Sequence, residues 1–178
     1  MKKILSTAAA LALSAAALAV APTTTASADS YDSPWIRYHQ PDVDVAAGHA
    51  CSFAVHEHVL RDKEYYKVLA TYADGTDQAE LWKGPLVMRY TNVDTGASKV
   101  VNISGRARIT YYRDGSFASI TILTGHFGAT MPPGNEMAAG LYRVGGKDSA
   151  MTIEPDGKRY LVLGPHGSTE DLCAALSS

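Results

Sequence analysis

An Asp-Gly pair at positions 114–115 lies between two β-rich runs, and it constrains the fold more than any other sequence feature. Asp-Gly between alternating apolar residues predicts a β-hairpin with a two-residue type I′ turn. The turn implies facing pairs that match in polarity: Tyr111/Ala118, Ile109/Ile120 and Ala107/Ile122 on one face, and Thr110/Ser119 and Arg108/Thr121 on the other. Because side chains alternate faces with a period of two, a slip of one residue would destroy this match. The hairpin therefore predicts a sheet with one buried face.

The rest of the chain repeats this pattern of short extended runs between turns. A second Asp-Gly pair at 156–157 predicts a hairpin over 150–163, with Ile153 facing Tyr160 and Met151 facing Val162. Further β-rich runs lie at 51–60, 64–73, 79–82, 86–91, 99–103 and 141–144, whereas 127–139 is predicted to be a loop. Ser168 is predicted to cap a short C-terminal helix. We therefore predict an all-β fold, an antiparallel meander that forms a small barrel or a flattened sandwich, with a short C-terminal helix.

The N-terminus has the pattern of a Sec-type signal peptide over residues 1–28. Lys2 and Lys3 form a basic start, an Ala/Leu run follows at 8–20, and Ala26-Ser27-Ala28 fits the small-residue cleavage pattern. A membrane anchor is the alternative, but the apolar run is shorter than the roughly 20 residues that a spanning helix needs. We expect cleavage after Ala28 and a secreted, extracellular product with no membrane span, consisting of an extended lead-in at 29–48 and a single β domain at 49–178.

The charge of the predicted mature chain limits its partners. The whole chain carries a formal charge of −2, and removal of Lys2 and Lys3 with the signal peptide changes it to −4. A mildly acidic protein without a block of basic residues is a poor candidate for binding nucleic acid. We therefore expect the partner to be a small molecule or a protein. The chain itself is expected to be a monomer.

Cys51 and Cys173 are the two cysteines of the chain, and they lie near the start and the end of the predicted β domain. An even number of cysteines in an exported protein favours a disulfide over free thiols. A bridge between them would close nearly the whole domain into one loop.

The order of several short motifs resembles that of a family of secreted proteins. These motifs are a cysteine after the lead-in, Thr91-Asn92 with Thr95-Gly96, Asp114-Gly115, Thr124-Gly125-His126, and Asp171-Leu172-Cys173-Ala174-Ala175-Leu176. In this order they resemble a group of small uncharacterised secreted β-proteins of actinobacteria, over most of the mature chain. The resemblance implies secretion, a single disulfide and a β architecture, and it implies no activity.

His56 and His58 form the candidate metal site. On a strand, residues two apart point to the same side, so both imidazoles could reach one metal ion, and imidazole suits Zn²⁺ or another transition metal. A third ligand would come from His49, His126, His166 or a carboxylate. The alternative is a pair of histidines on the solvent face of a strand.

His126 and His166 are the candidate ligand-binding residues, because each ends a strand in a glycine-rich segment where functional residues often lie. The sequence contains no G-x-S-x-G motif and no other nucleophile motif, so we assign no catalytic residue and no cofactor. The leading prediction is a secreted, non-catalytic binding protein for a small molecule or a surface partner. The alternatives are a metal-dependent enzyme that uses His56 and His58, and a secreted inhibitor whose binding loop is 127–139.

Overall fold

The computed structural model describes residues 33–177, and the predicted signal peptide lies outside this range. The described chain consists mainly of antiparallel strands, as the sequence predicts. The elements are β1 Ile36–Arg37, β2 Val43–Val45, β3 Val55–Asp62, β4 Tyr65–Thr71, β5 Asp77–Gly84, β6 Leu86–Asn92, β7 Ser98–Asn102, β8 Gly105–Tyr111, β9 Phe117–Met131, β10 Gly140–Gly145, β11 Ala150–Ile153, β12 Arg159–Val162, β13 Ser168–Asp171 and α1 Leu172–Leu176.

The strands form two sheets, and the flattened sandwich is the correct one of the two predicted architectures. The large sheet has the order β1-β4-β5-β8-β9-β10-β13, with the β11–β12 hairpin added along β9, and the small sheet has the order β2-β3-β6-β7. Over residues 33–177 neither order returns to its first strand, so the predicted barrel is wrong. The physical reason is that the chain passes from one sheet to the other: β3 and β6 pair in the small sheet, whereas β4 and β5 between them belong to the large one.

The central hairpin has most of the predicted register. Ile109/Ile120, Ala107/Ile122, Thr110/Ser119 and Arg108/Thr121 face each other as predicted. The turn itself is different: the amide of Tyr112 donates to the carbonyl of Ser116, and the amide of Gly115 donates to the carbonyl of Tyr112. Only Gly115 of this turn has a positive φ, of 81°, so the turn is longer than type I′ and ends in a glycine bulge. Tyr111 consequently faces Phe117 rather than the predicted Ala118, and an irregularity at Ala118 restores the register further along.

The second Asp-Gly hairpin has the same turn, and here the predicted register is wrong by one residue. The amide of Glu154 donates to the carbonyl of Lys158, and Ile153 faces Arg159 rather than Tyr160. Met151 likewise faces Leu161 rather than Val162. Because no bulge follows this turn, the extra turn residue shifts every pair of the ladder.

Strand β9 is longer than predicted. It continues through Met131, so the predicted loop at 127–139 is reduced to 132–139. Phe127, Ala129 and Met131 are buried at alternate positions, but Gly125 and Gly128 interrupt the sequence pattern that would have revealed the strand. The longer strand lets β9 pair with β8 in its first half and with β10 in its second half.

The C-terminal helix begins later than predicted. Ser168 lies in β13, where it faces Gly145 of β10, so its predicted role as the helix cap is wrong. Asp171 is the cap, and its carboxylate accepts a hydrogen bond of 3.0 Å from the amide of Ala174. The polar residues that precede the helix could supply either a cap or an edge strand, and pairing with β10 decides in favour of the strand.

The disulfide fixes the helix to the core between the sheets. Cys51 and Cys173 are bonded, with their Cα atoms 5.4 Å apart, which confirms the predicted bridge. Leu172 and Leu176 of the helix are fully buried against apolar residues of the small sheet and of β10. Residues 33–48 also belong to the fold, because they supply β1 to the large sheet and β2 to the small one. Among the described residues, no helix is both long and apolar enough to cross a membrane.

Two glycines provide a test of the backbone geometry. Gly115 and Gly125 both have positive φ, of 81° and 83°, but a Cβ at Gly125 would lie 2.3 Å from the carbonyl oxygen of Ser104, whereas a Cβ at Gly115 would meet no atom within 4 Å. We expect Gly115→Ala to lower the free energy of unfolding by about 1 kcal/mol, the conformational cost alone. Gly125→Ala adds a steric clash and should cost roughly 2–3 kcal/mol. Urea unfolding of both variants measures the difference, and equal losses would contradict the close approach of Ser104.

Candidate functional site

A cavity of about 450 Å³ lies between the two sheets, and its size is that of a site for a small molecule. Leu86 and Met88 of β6 line it from the small sheet, and Ile109 and Ile120 line it from the central hairpin of the large sheet. The register of that hairpin is therefore what supplies the apolar wall. The lining residues are predominantly apolar and aromatic, with a few charged groups among them.

Glu57 is the first of two acidic residues in this wall. It lies on β3 between the buried Val55 and the part-buried Val59, on the face of the strand that lines the cavity. In the ladder it faces Tyr90 of β6. Burial raises the pKa of Glu57 to about 7. Burial also raises the pKa of the Tyr90 phenol, and the nearby charge of Glu57 raises it further. A carboxyl group in this apolar wall is therefore protonated at mildly acidic pH and ionised above neutral pH.

Glu64 is the second acidic residue in the wall. It lies in the short link between β3 and β4, and its Oε2 atom is buried without a hydrogen-bond partner among the described residues. Burial, together with the nearby charge of Asp62, raises the pKa of Glu64 to about 7, against an opposing effect from Arg37. A buried carboxylate oxygen without a partner is costly, so it is a natural place for a ligand to donate a hydrogen bond.

The link that carries Glu64 is held by residues of the N-terminal segment. The Arg37 guanidinium donates to an Asp62 carboxylate oxygen at 2.9 Å and to the carbonyl of Glu64 at 2.7 Å. The amide of Tyr38 donates to the same Glu64 carbonyl at 3.0 Å. Burial favours a higher pKa for Asp62, but hydrogen bonds from Arg37 and from the amides of Glu64 and Gln40 hold it below its usual value. The backbone of Glu64 is thus fixed, while its Oε2 atom has no hydrogen-bond partner within residues 33–177.

Glu80 shows that the fold can pair a buried carboxylate. Its Oε2 atom accepts hydrogen bonds of 2.6 Å from the Trp82 indole and from the Tyr111 hydroxyl. Burial and this hydrogen bond to Glu80 raise the pKa of Tyr111. Glu64 differs from Glu80 in this respect, because its buried Oε2 atom has no such partner among the described residues. Glu64 lies in the same cavity wall as Trp82 and Tyr111.

Tyr90 spans the space between the sheets at one side of the cavity. A Cβ built on Gly128 of β9 would lie 3.3 Å from the Tyr90 hydroxyl oxygen. Glycine at position 128 therefore leaves room for this phenol, which is 3% exposed.

Lys83 and Arg106 are the exposed side chains of the cavity wall, so its outer part is basic, whereas the carboxyl groups are part-buried.

The structure separates the two predicted ligand-binding histidines. His126 lines the cavity, and burial together with the positive charge of Arg143 lowers its pKa. The nearest Arg143 nitrogen lies 3.4 Å from His126 Nδ1. His166 is exposed and does not belong to the cavity wall.

The structure also shows where the two predicted metal ligands lie. His56 and His58 are on the face of β3 opposite to Glu57, with their side chains 43% and 46% exposed. Asp42 completes a group in which one potential ligand atom from each residue lies within 4.8 Å of the others. The histidines proposed as alternative third ligands are not part of this group.

Glu57 and Glu64 are not among the site residues predicted from the sequence, although the sequence contains one signal for Glu57. The apolar positions of β3 alternate, and Glu57 is a charged residue in that series between Val55 and Val59. An acidic residue on the buried face of a strand is rare and indicates a special role. No comparable local signal identifies Glu64, because its burial depends on the packing of the N-terminal segment against the link.

Comparison of the chain with family models, with curated proteins and with solved structures finds no match.

Proposed function

We propose that this protein binds a small amphipathic molecule in the cavity between its two sheets, without transforming it. The observation that carries the proposal is the pairing of an apolar cavity with two part-buried carboxyl groups, one of which has a buried oxygen without a partner among residues 33–177. The apolar wall favours a hydrophobic or aromatic body. Glu57 and Glu64 favour a group that donates hydrogen bonds to them.

The ligand group that fits these carboxyls best is an amine. With pKa values of about 7, Glu57 and Glu64 are ionised above neutral pH, where an aliphatic amine is protonated. An ammonium group would donate charge-assisted hydrogen bonds and remove the cost of the unpaired oxygen. A carboxylate on the ligand would instead be repelled at this position.

The same proposal includes the place of action. A disulfide between Cys51 and Cys173 fits an oxidising, extracellular environment, and the N-terminal sequence pattern is that of an exported protein. An extracellular binding protein needs no catalytic residue, and none is assigned.

The test compares three probes that share one aromatic body: naphthylmethylamine, naphthylmethanol and naphthoate. At about pH 8 we expect the amine to bind at least about tenfold more tightly than the alcohol, because the ammonium group adds charge attraction to the hydrogen bond that a hydroxyl can also donate. Naphthoate should bind most weakly. Isothermal titration calorimetry on the oxidised protein gives the three dissociation constants.

The matched variants are Glu57→Gln with Glu64→Gln, and Glu136→Gln as a control at an exposed glutamate outside the cavity. The double variant should lose the preference for the amine while still binding the alcohol, and the control should behave as the parent protein does. Equal affinities for the amine in the parent and the double variant would contradict the proposal. Conversion of a bound probe into another compound would replace it with catalysis in the same cavity.

A further inference from the structure

We propose that the outer face of the small sheet carries a transition-metal site formed by His56, His58 and Asp42, separate from the cavity. His56 and His58 point away from the cavity wall because they alternate with Glu57 along β3. The site therefore does not depend on the function proposed for the cavity.

The pairing of β2 with β3 brings carboxylates to the two imidazoles. Asp44 faces His56 in the antiparallel ladder, and Asp42 lies just before β2, beside His58. The amide of Val59 donates to Asp42 Oδ1 at 2.8 Å, which holds that carboxylate at the sheet. One ligand atom each from Asp42, His56 and His58 then lies within 4.8 Å of the other two. Asp42 is 16 positions before His58 in the sequence, so strand pairing is what brings it there.

The hydrogen bonds at these histidines decide which ring nitrogen is available to a metal ion. His56 Nδ1 lies 2.6 Å from an oxygen of Asp44, and His58 Nδ1 lies 2.7 Å from an oxygen of Asp42. A neutral imidazole that donates its Nδ1 proton to a carboxylate has its lone pair on Nε2, and such a carboxylate also makes the imidazole a better ligand. His56 is thus prepared to bind through Nε2, whereas at His58 the ion would take the place of the Nδ1 proton and lie between Nδ1 and the Asp42 oxygen.

The arrangement of the rings permits convergence on one ion. The planes of the two imidazoles are within 14° of parallel, and their centroids lie 6.2 Å apart. Nitrogens that bind one Zn²⁺ ion lie about 2.0–2.1 Å from it, so the rings must turn toward each other on binding. Both side chains are almost half exposed, which leaves space for that rotation.

The ligand chemistry selects the class of metal. Two imidazoles with a carboxylate suit Zn²⁺, Ni²⁺ or Cu²⁺, whereas Ca²⁺ and Mg²⁺ require mainly oxygen ligands. The exposed side of the site leaves the remaining coordination positions to water. Binding would connect the N-terminal segment that carries Asp42 to the strand that carries both histidines.

The experiment is a calorimetric titration of the full oxidised protein with ZnCl₂, with CaCl₂ as a comparison. We expect one Zn²⁺ per chain and no binding of Ca²⁺. His56→Ala, His58→Ala and Asp42→Asn each remove a direct ligand and should each weaken Zn²⁺ binding by more than about tenfold, because loss of an outer orienting group alone costs about 10–100-fold. His166→Ala, at an exposed histidine far in sequence from the site, should leave the affinity unchanged.

A second measurement keeps the result interpretable if a variant folds poorly. In the NMR spectrum of the parent protein, Zn²⁺ should shift the imidazole nitrogen signals of His56 and His58 and leave those of His126 and His166 in place. Absence of Zn²⁺ binding, affinity that survives the double change of His56 and His58, or equal shifts of all imidazole signals would each overturn the proposal.

Discussion

Replacement of Cys51 and Cys173 by serine is expected to lower the free energy of unfolding by about 5 kcal/mol, because the bridge closes a very long loop. The two residues are 122 positions apart, so the disulfide restricts nearly the whole described chain in the unfolded state. In the folded state it joins the segment before β3 to helix α1, whose Leu172 and Leu176 are buried in the same core. Domains of this kind have a total stability of roughly 5–15 kcal/mol, so the loss is a large fraction of the whole.

Urea unfolding of the double serine variant measures this loss, with the parent protein in reducing buffer as a matched control. The variant and the reduced parent should have similar midpoints, both well below that of the oxidised parent. A variant within about 1 kcal/mol of the oxidised parent would show that the helix and its apolar contacts hold the core without the bridge.

Stability that falls as the pH rises from about 4.5 to about 7 is the second large expectation. Glu57 and Glu64 have a usual pKa of 4.5 and a folded-state pKa of about 7. Between these values the unfolded chain releases the protons and the folded chain retains them, so the folded state loses its advantage as the pH rises. Because both side chains are only part-buried, we expect a total loss of roughly 2–4 kcal/mol rather than the full linkage value.

The double variant Glu57→Gln/Glu64→Gln isolates this effect. Its stability relative to the parent should increase over the same pH range and should level off above pH 7. Other groups titrate as well: the lowered pKa of Asp62 acts in more acidic solution, and the lowered pKa of His126 acts in the opposite direction. Both remain in the variant, so the difference between the two proteins cancels them. Parallel profiles of stability against pH for the parent and the variant would show that burial does not raise the pKa values of Glu57 and Glu64.

The sequence was sufficient to predict the fold class because facing side chains carry the information. The pairs Ile109/Ile120 and Thr110/Ser119 are matched in polarity, and the hairpin keeps that match. The Asp-Gly pair predicts that a turn is present, but the turn type depends on one backbone angle at the aspartate. In the second hairpin only Gly157 has a positive φ, so the turn contains one residue more than a type I′ turn. Ile153 consequently faces Arg159. Whether a bulge restores the register depends on packing against other strands, which a local pattern does not contain.

The candidate site was less predictable, because it is formed by contacts between residues distant in sequence. Cys51 and Cys173 could be paired because there were only two cysteines. In the segment His56-Glu57-His58, the two histidines point outward and the glutamate lines the cavity. The sequence pattern led to a prediction for the histidines and to none for the glutamate. Asp42 reaches His58 through the pairing of β2 with β3, and Arg37 of the N-terminal segment contacts the link that carries Glu64.

The most direct test of binding between the sheets is the set of intermolecular NOEs from bound naphthylmethylamine. We expect contacts from the naphthyl protons to side chains of both sheets, Met88 on one side and Ile109 and Ile120 on the other. NOEs confined to exposed apolar residues outside the cavity, such as Val162 and Leu163, would contradict it.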